Sequence, residues 1–598
     1  MDNDKPDMEQ FAANMKEYAE QFQKIAAEFL EKQKEHSPPD ELDPLNLGQA
    51  MMEMTKYFAE NPQQIVEKQV NLWKDYMTLW QNTVKKMAGE DEVEPVIAPE
   101  VGDRRFKDKE WEENEVYDYI KQSYLLTSRW LEDVIQDTPL AKTHEGQKLK
   151  FFTRQFIDAM SPTNFAVTNP QVIRETIEKN GKNLVQGLHN IARDINPKTG
   201  TFRIRMTDEE AFEPGRNVAT TPGKVIYQNE LIQLIQYTPT TETVYKVPLL
   251  IVPPWINKYY ILDLRPENSL VKWLTDKGYT VFIISWKNPD ESMAELDFGD
   301  YMALGPLSAL HAIEEAIGET VVNTVGYCIG GTLLAATLAY LAANDKADRV
   351  KSTTFLVTQV DFSESGELKL FVDKKQLKFM EKIMEEKGYL DGSIMSQTFN
   401  MLRSNDLIWS FVINNYLLGR DPFPFDLLYW NSDSTRLTKA CHSQYLREMY
   451  LENNLVKPGK LVLKGTPIDL RKITIPAYIQ AAQTDHICPW NSVYKATQIF
   501  SGPRRFMLAG SGHIAGVVNP PEARKYNHWI NDNLPDDPAD WLNEAEEKPG
   551  SWWPDWHQWL RTKSGKKVPA RQPGEGKLSI IEEAPGSYVK IRYDTEGK

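Results

Sequence analysis

Five residues constrain this chain more than any others: Gly326-Tyr327-Cys328-Ile329-Gly330, set between an apolar run at 321–325 and a helix-like run at 332–341. Glycines two places before and after a nucleophile, at a strand-to-helix junction, mark a turn so tight that a Cβ at either place would clash. Gly331 adds clearance, and cysteine stands at the apex where serine is commoner. A five-residue pattern recurs by chance; its placement after a strand and before a helix gives it meaning.

The surroundings repeat that logic. Residues 247–252, 280–285, 321–325, 353–360 and 475–481 are short apolar, β-branched runs, and helix-like segments alternate with most of them. Such alternation predicts βαβ units and a parallel sheet, and continuous apolarity predicts strands covered on both faces. We read residues 201–360 as the first part of a catalytic core and 456–598 as its second part with a C-terminal tail. Between them, 361–455 loses the alternation and reads as a cap or lid insertion. Trp552, Trp553, Trp556 and Trp559 near the end read as packing.

The first 200 residues differ. Phe11, Met15, Tyr18, Phe22, Ile25 and Phe29 form one helical stripe, and Val66, Val70, Trp73, Met77, Trp80, Val84 and Met87 a second. Pro38-Pro39-Asp40 breaks the chain between them. Both stripes are expected to pack on each other or on the main body; the 3.5-residue repeat of the first also suits a coiled coil or partner. Residues 1–90 thus form an N-terminal helical region concerned with assembly, partners or a polymer surface. An acidic linker at 89–103 leads into a second helical stretch, giving a helical domain over 91–200 that continues into the core.

Composition excludes several functions. A net charge of −16 argues against a nucleic-acid binder. Only three cysteines occur, Cys328, Cys441 and Cys488, with no CxxC pattern and no apolar leader at the N-terminus, which points to a reducing cytosol and no metal site. No apolar run approaches the ~20 residues of a membrane helix. Any contact with a lipid or polymer surface is peripheral.

A cysteine nucleophile needs a base, and the base an orienting acid. In an α/β-hydrolase the chain order is nucleophile, acid, base. Asp485 and His513 each lie just past an expected strand, where functional groups of parallel sheets gather. Asp361 is the alternative acid. His486, adjacent to Asp485, lacks the geometry of a triad base and reads as a substrate contact or structural residue; His311 and His442 read as packing or surface groups. Cys441 and Cys488 lack the elbow context and read as inert buried thiols. The oxyanion hole should use the N–H of Ile329 and a second N–H from the loop after 247–252, where prolines 253 and 254 leave Trp255 or Ile256.

Longer motifs carry a resemblance. IVPPWINKYYILDL (251–264), GYCIGGT (326–332), FDLLYWNSD (425–433), DHICPW (485–490), SGHIAGVVNPP (511–521) and GSWWP (550–554) resemble the class I polyhydroxyalkanoate synthases, from about Asp103 to the end. The resemblance implies an α/β-hydrolase fold, a mostly parallel sheet flanked by helices, with a cap insertion and an N-terminal helical domain. It implies polymerisation of short-chain (R)-3-hydroxyacyl-CoA, 3-hydroxybutyryl-CoA foremost, with release of coenzyme A. Cys328 would carry the growing chain, His513 act as base, and Asp485 orient His513 or help activate the 3-hydroxyl. His486 and Arg403 match positions that could contact CoA phosphates. No metal and no cofactor beyond the CoA of the substrate are implied. The active form would be a homodimer at a cytoplasmic polymer granule, with granule-associated proteins as further partners of the N-terminal helices. The rival readings are a thioesterase or hydrolase with the same triad, and a non-catalytic granule-surface scaffold.

Overall fold

The computed structural model describes residues 7–36, 47–90, 93–196 and 201–592. The Pro38-Pro39-Asp40 break and the side chain of Phe29 lie outside the described residues. The chain divides into two compact units, residues 1–208 with 399–423, and 209–398 with 424–598. Part of the expected cap, 399–423, therefore groups with the helical unit.

The first unit is helical: α1 (Met8–His36), α2 (Leu47–Glu60), α3 (Pro62–Met87), α4 (Glu115–Gln136), α5 (His144–Ala159) and α6 (Lys182–Asp194) are its longer elements. Their starts are written locally. Pro62 opens α3, the Asn114 side chain accepts from the N–H groups of Val116 and Tyr117 at the start of α4, and Thr143 accepts from Gly146 at the start of α5. The first stripe packs in part: Met15 and Tyr18 join Val172, Leu184 and Leu418, and Asn14 donates to Asn180 O at 2.7 Å, while Phe22 is exposed.

The second stripe does not pack. Trp73 is 65% and Trp80 57% exposed, and Val66, Val70, Met77, Val84 and Met87 are exposed with them. α3 turns another face to α4: Leu79 is buried, the Tyr76 hydroxyl donates to Ser123 O at 3.0 Å, and Lys86 pairs with Asp118 at 2.7 Å. Residues with one apolar and one polar end win the buried side because α4 offers a carbonyl and a carboxylate there. Residues 399–423 join this unit through polar contacts. Ser404 and Asn405 donate to Asp158 at 2.7 and 2.8 Å, Tyr416 to Asp194 at 2.6 Å, and Asn190 to Asn415 O at 2.9 Å.

The second unit is built on one eleven-stranded sheet. Its strands are β1 (Gly223–Gln228), β2 (Ile232–Tyr237), β3 (Leu249–Val252), β4 (Val281–Trp286), β5 (Val322–Tyr327), β6 (Val350–Leu356), β7 (Ala477–Ala482), β8 (Arg504–Ala509), β9 (Asn527–Asn531), β10 (Glu546–Pro549) and β11 (Glu582–Glu583). The order is β10-β9-β8-β7-β6-β5-β3-β4-β2-β1-β11, and the run from β8 to β4 is parallel. Antiparallel strands extend it at both edges. Alternate side chains enter two cores: Leu250, Val252, Phe282 and Ile284 one, Leu249, Ile251, Val281 and Ile283 the other. Burial on both faces explains the unbroken apolar runs. Helix α7 (Ile329–Ala343), which follows β5, is apolar and buried nearly all round.

Candidate active site

Cys328 sits at the junction of β5 and α7 with φ +52° and ψ −125°, a region that costs a non-glycine residue roughly 1–3 kcal/mol. Hydrogen bonds hold it there. Its N–H donates to Leu356 O at 2.9 Å, and its carbonyl accepts from the N–H groups of Gly331 and Thr332 at 2.9 and 3.1 Å. The glycines answer to close approach. A Cβ on Gly326 would lie 2.5 Å from Gly331 Cα, and one on Gly330 would lie 2.4 Å from the carbonyl oxygens of Val252 and Pro253. The second contact also brings the loop after β3 against the turn.

Asp485 follows β7 and His513 follows β8, so both stand at the carboxyl ends of parallel strands, as Cys328 does. His513 Nδ1 lies 2.7 Å from Asp485 Oδ2, and both residues are buried. The other carboxylate oxygen accepts from the N–H groups of Ile487 and Cys488 at 2.8 and 2.9 Å, which fixes the acid. The Tyr327 ring stacks on the His513 ring at 5.7 Å, and its hydroxyl donates to His513 O at 3.3 Å. Asp361 is engaged elsewhere, accepting from Ser363 N and Asn453 Nδ2 at 2.8 and 2.9 Å.

Cys488 corrects the sequence reading. It is buried, as expected, but not remote: its sulfur, the Cys328 sulfur and a His513 ring nitrogen all lie within 4.8 Å of one another. A hydrogen bond from Cys488 is the leading influence that draws the Cys328 thiol well below its ordinary range. Burial opposes it, and the His513 charge, a hydrogen bond from His513 and the N–H of Ile329 act with it. Burial disfavours a charged His513, but the Asp485 carboxylate and the Cys328 sulfur outweigh it and raise the imidazole well above its usual value. Burial pushes Cys488 itself up, and Cys328 pushes it further. These directions favour a thiolate on Cys328, a proton on His513 and a proton kept on Cys488. The available signal was spacing: Cys488 is three residues past Asp485, so whatever brings the acid in brings the thiol too.

Of the two oxyanion candidates beyond Ile329, Trp255 is buried among the rings of Trp286, Phe298 and Tyr301, and Ile256 follows it in a loop pinned from the other side. Thr435 donates to the carbonyls of Trp255 and Ile256, and Trp430 Nε1 donates to Lys258 O at 2.6 Å. Lys258 and Asp433 form a buried ion pair at 2.7 Å. Tyr445 and Tyr450, which sequence reasoning missed, pack on each other and on Phe362 at 5.0–5.9 Å. Burial raises both phenols, and the neighbouring Cys328 and Cys488 sulfurs raise them further. His486 is half-buried beside Asp485. Arg403 belongs to the first unit, exposed and paired with Asp406 at 3.5 Å, and not to the unit that holds Cys328. His311 is exposed, and buried His442 is lowered to about 4 by its burial.

The His513 loop is braced from beneath. Trp552 Nε1 and Trp553 Nε1 donate to Gly516 O and Val517 O at 2.8 and 2.9 Å, and Trp556 Nε1 to Thr354 Oγ1 at 2.9 Å. The tryptophan stripe is packing, as expected, with the indole N–H groups of its three buried members, Trp552, Trp553 and Trp556, satisfied.

Residues 102–274 match the family described as poly-beta-hydroxybutyrate polymerase (PhaC) N-terminus, and residues 248–520 match the alpha/beta hydrolase fold. The poly(3-hydroxyalkanoate) polymerase subunit PhaC of Rhizobium meliloti is 47% identical over 98% of this chain and 96% of its own length. The poly(3-hydroxyalkanoate) polymerase of Methylorubrum extorquens is 46% identical over 98% of both, and the PhaC subunit of Cupriavidus necator 42% identical over 89% of both. With the elbow, the parallel sheet and matches running nearly end to end, the chain belongs to the poly(3-hydroxyalkanoate) polymerases, acyltransferases built on the α/β-hydrolase fold.

Proposed function

We propose that this enzyme polymerises short-chain (R)-3-hydroxyacyl-CoA, 3-hydroxybutyryl-CoA foremost, and releases coenzyme A through a thioester on Cys328. The observation that carries this reading is the cysteine itself, at the apex of the elbow with the Cys488 sulfur and a His513 ring nitrogen within 4.8 Å, surroundings that lower its thiol titration. Its attack on a CoA thioester exchanges one thioester for another at little net cost, so the acyl group stays activated. A serine would trap it as a lower-energy ester. The departing CoA thiolate takes the proton that His513 holds, and acylation removes the Cys328 charge that raises His513, so the neutral imidazole is left to take the proton of an incoming 3-hydroxyl. Asp485 orients it. The N–H of Ile329, with Trp255 or Ile256, receives the oxyanion. Tyr445 and Tyr450 keep water from the acyl-enzyme. His486, half-buried beside Asp485, is carried as a contact to the CoA moiety.

The partners in this reading are a second copy of the chain and the surface of the polymer granule, with granule-associated proteins on the N-terminal helices. The exposed α3 stripe supports a surface role. Among the described residues no helix is long and apolar enough to cross a membrane. The test is incubation with 3-hydroxybutyryl-CoA, measuring free CoA and insoluble polymer. CoA with polymer is expected. CoA with free acid would make the protein a thioesterase, and neither product would make it a scaffold.

A further inference from the structure

Two thiols and an imidazole share one small volume, and acyl transfer needs only one of the thiols to react. Cys328 is partly exposed; Cys488 lies behind it, 5% exposed, in the loop between β7 and the helix that begins at Trp490. The Ile329 N–H favours the Cys328 thiolate, whereas burial holds the proton on Cys488, which therefore reacts second. The two atoms are already within 4.8 Å, against about 2.05 Å in a disulfide, a gap that side-chain rotation and a small shift of an irregular loop can close. Cys441, the remaining cysteine of the chain, is buried among Asp297 and Asp300 instead.

We propose that Cys488 is a resolving thiol, and that Cys328 and Cys488 form a reversible disulfide when the enzyme meets a hydroperoxide. The steps balance. The Cys328 thiolate attacks the outer peroxide oxygen, the O–O bond breaks, an alkoxide or hydroxide leaves, and Cys328 becomes a sulfenic acid. The Cys488 sulfur then attacks the sulfenic sulfur as its proton passes to the departing hydroxyl; the S–S bond forms, the S–O bond breaks and water is released. A dithiol reductant returns both thiols and is itself oxidised to a disulfide. A low thiol pKa makes Cys328 the first site of attack, and the neighbour diverts it from the irreversible sulfinic acid. Polymerisation would then stop under peroxide stress and resume afterwards with the same protein.

The inference rests on Cys328 being the reactive thiol, but its test needs no acyl substrate. The full-length protein is treated with a small excess of hydrogen peroxide, alkylated, digested and mapped by mass spectrometry, with and without later dithiothreitol. The expected result is a cross-linked Cys328–Cys488 peptide pair lacking two hydrogens, which dithiothreitol abolishes. CoA release should be lost and regained in step with that pair. Cys488→Ala, or Cys488→Val if the first variant misfolds, should instead gain two oxygens on Cys328 and fail to recover its own starting rate. Sulfinic acid on wild-type Cys328 without the cross-link, a link to Cys441, or full recovery of the Cys488 variants would overturn the proposal. If the cross-link forms in a protein that makes no polymer, the polymerase reading fails and this one stands.

Discussion

Cys328, Asp485 and His513 were all legible before any coordinates, because each follows an apolar run and their chain order is that of the fold. Their electrostatics were not. The direction of the Cys328 titration depends first on Cys488, whose position follows from strand packing that no local pattern encodes. Since its thiolate forms well below the ordinary thiol value of about 8.5, iodoacetamide at pH 7 should label Cys328 in the folded protein and leave Cys441 and Cys488, both raised by burial, unlabelled. Acidification should suppress labelling only as the pH falls through that depressed value. His513→Gln removes both the charge and the hydrogen bond that favour the thiolate, so the labelling profile should move to higher pH. An unchanged profile would show that His513 does not act on the sulfur. Cys328→Ser should retain at most a trace of polymer synthesis, since the ester it forms is a poor acyl donor; polymer yield like that of the native enzyme would sink the assignment.

At the scale of elements, the central parallel strands were readable because burial on both faces leaves unbroken apolar runs. The edge strands were not. β10 is charged, since an edge strand need not be apolar, and β2, though buried throughout, carries Gln233 and Gln236, whose amides donate to Glu582 and Ser587 and to Arg571 O. The grouping of 399–423 with the helical unit was not readable either, because it runs through Ser404, Asn405 and Tyr416, polar contacts with no periodic signature. Two elements position the site and can be tested. Trp553→Phe deletes the indole donor to Val517 O, which then keeps only the Asn519 N–H at 3.1 Å; unfolding should become easier by about 0.5–1.5 kcal/mol for the lost hydrogen bond and acylation slower, whereas activity and stability both unchanged would remove this brace from the account. Asp433→Ala strands the buried Lys258 ammonium beneath the proposed oxyanion loop. Urea unfolding should show a loss of about 3–5 kcal/mol, and a loss below about 1 kcal/mol, the range of an exposed pair, would mean that the clamp is unimportant.

The chain holds a catalytic unit and a helical one, and the helical one carries a row of exposed apolar side chains on α3. The sequence showed the stripe but not its direction, because Tyr76 and Lys86 compete for the buried side with hydrogen bonds that hydrophobic spacing does not count. Trp73→Glu combined with Trp80→Glu should leave the helix folded and single-turnover acylation intact, while moving protein from the polymer pellet to the supernatant and lowering sustained yield. A double variant that still pellets with polymer would take the stripe out of surface attachment. The central claim, that this chain grows a polyester on Cys328, is tested most directly by rapid-quench mass spectrometry of the intact protein after addition of 3-hydroxybutyryl-CoA. A ladder of adducts spaced by one 3-hydroxybutyryl unit, mapped to Cys328 and absent from Cys328→Ala, is the expected result. Release of CoA with no adduct on Cys328, or with a ladder on another residue, would contradict it.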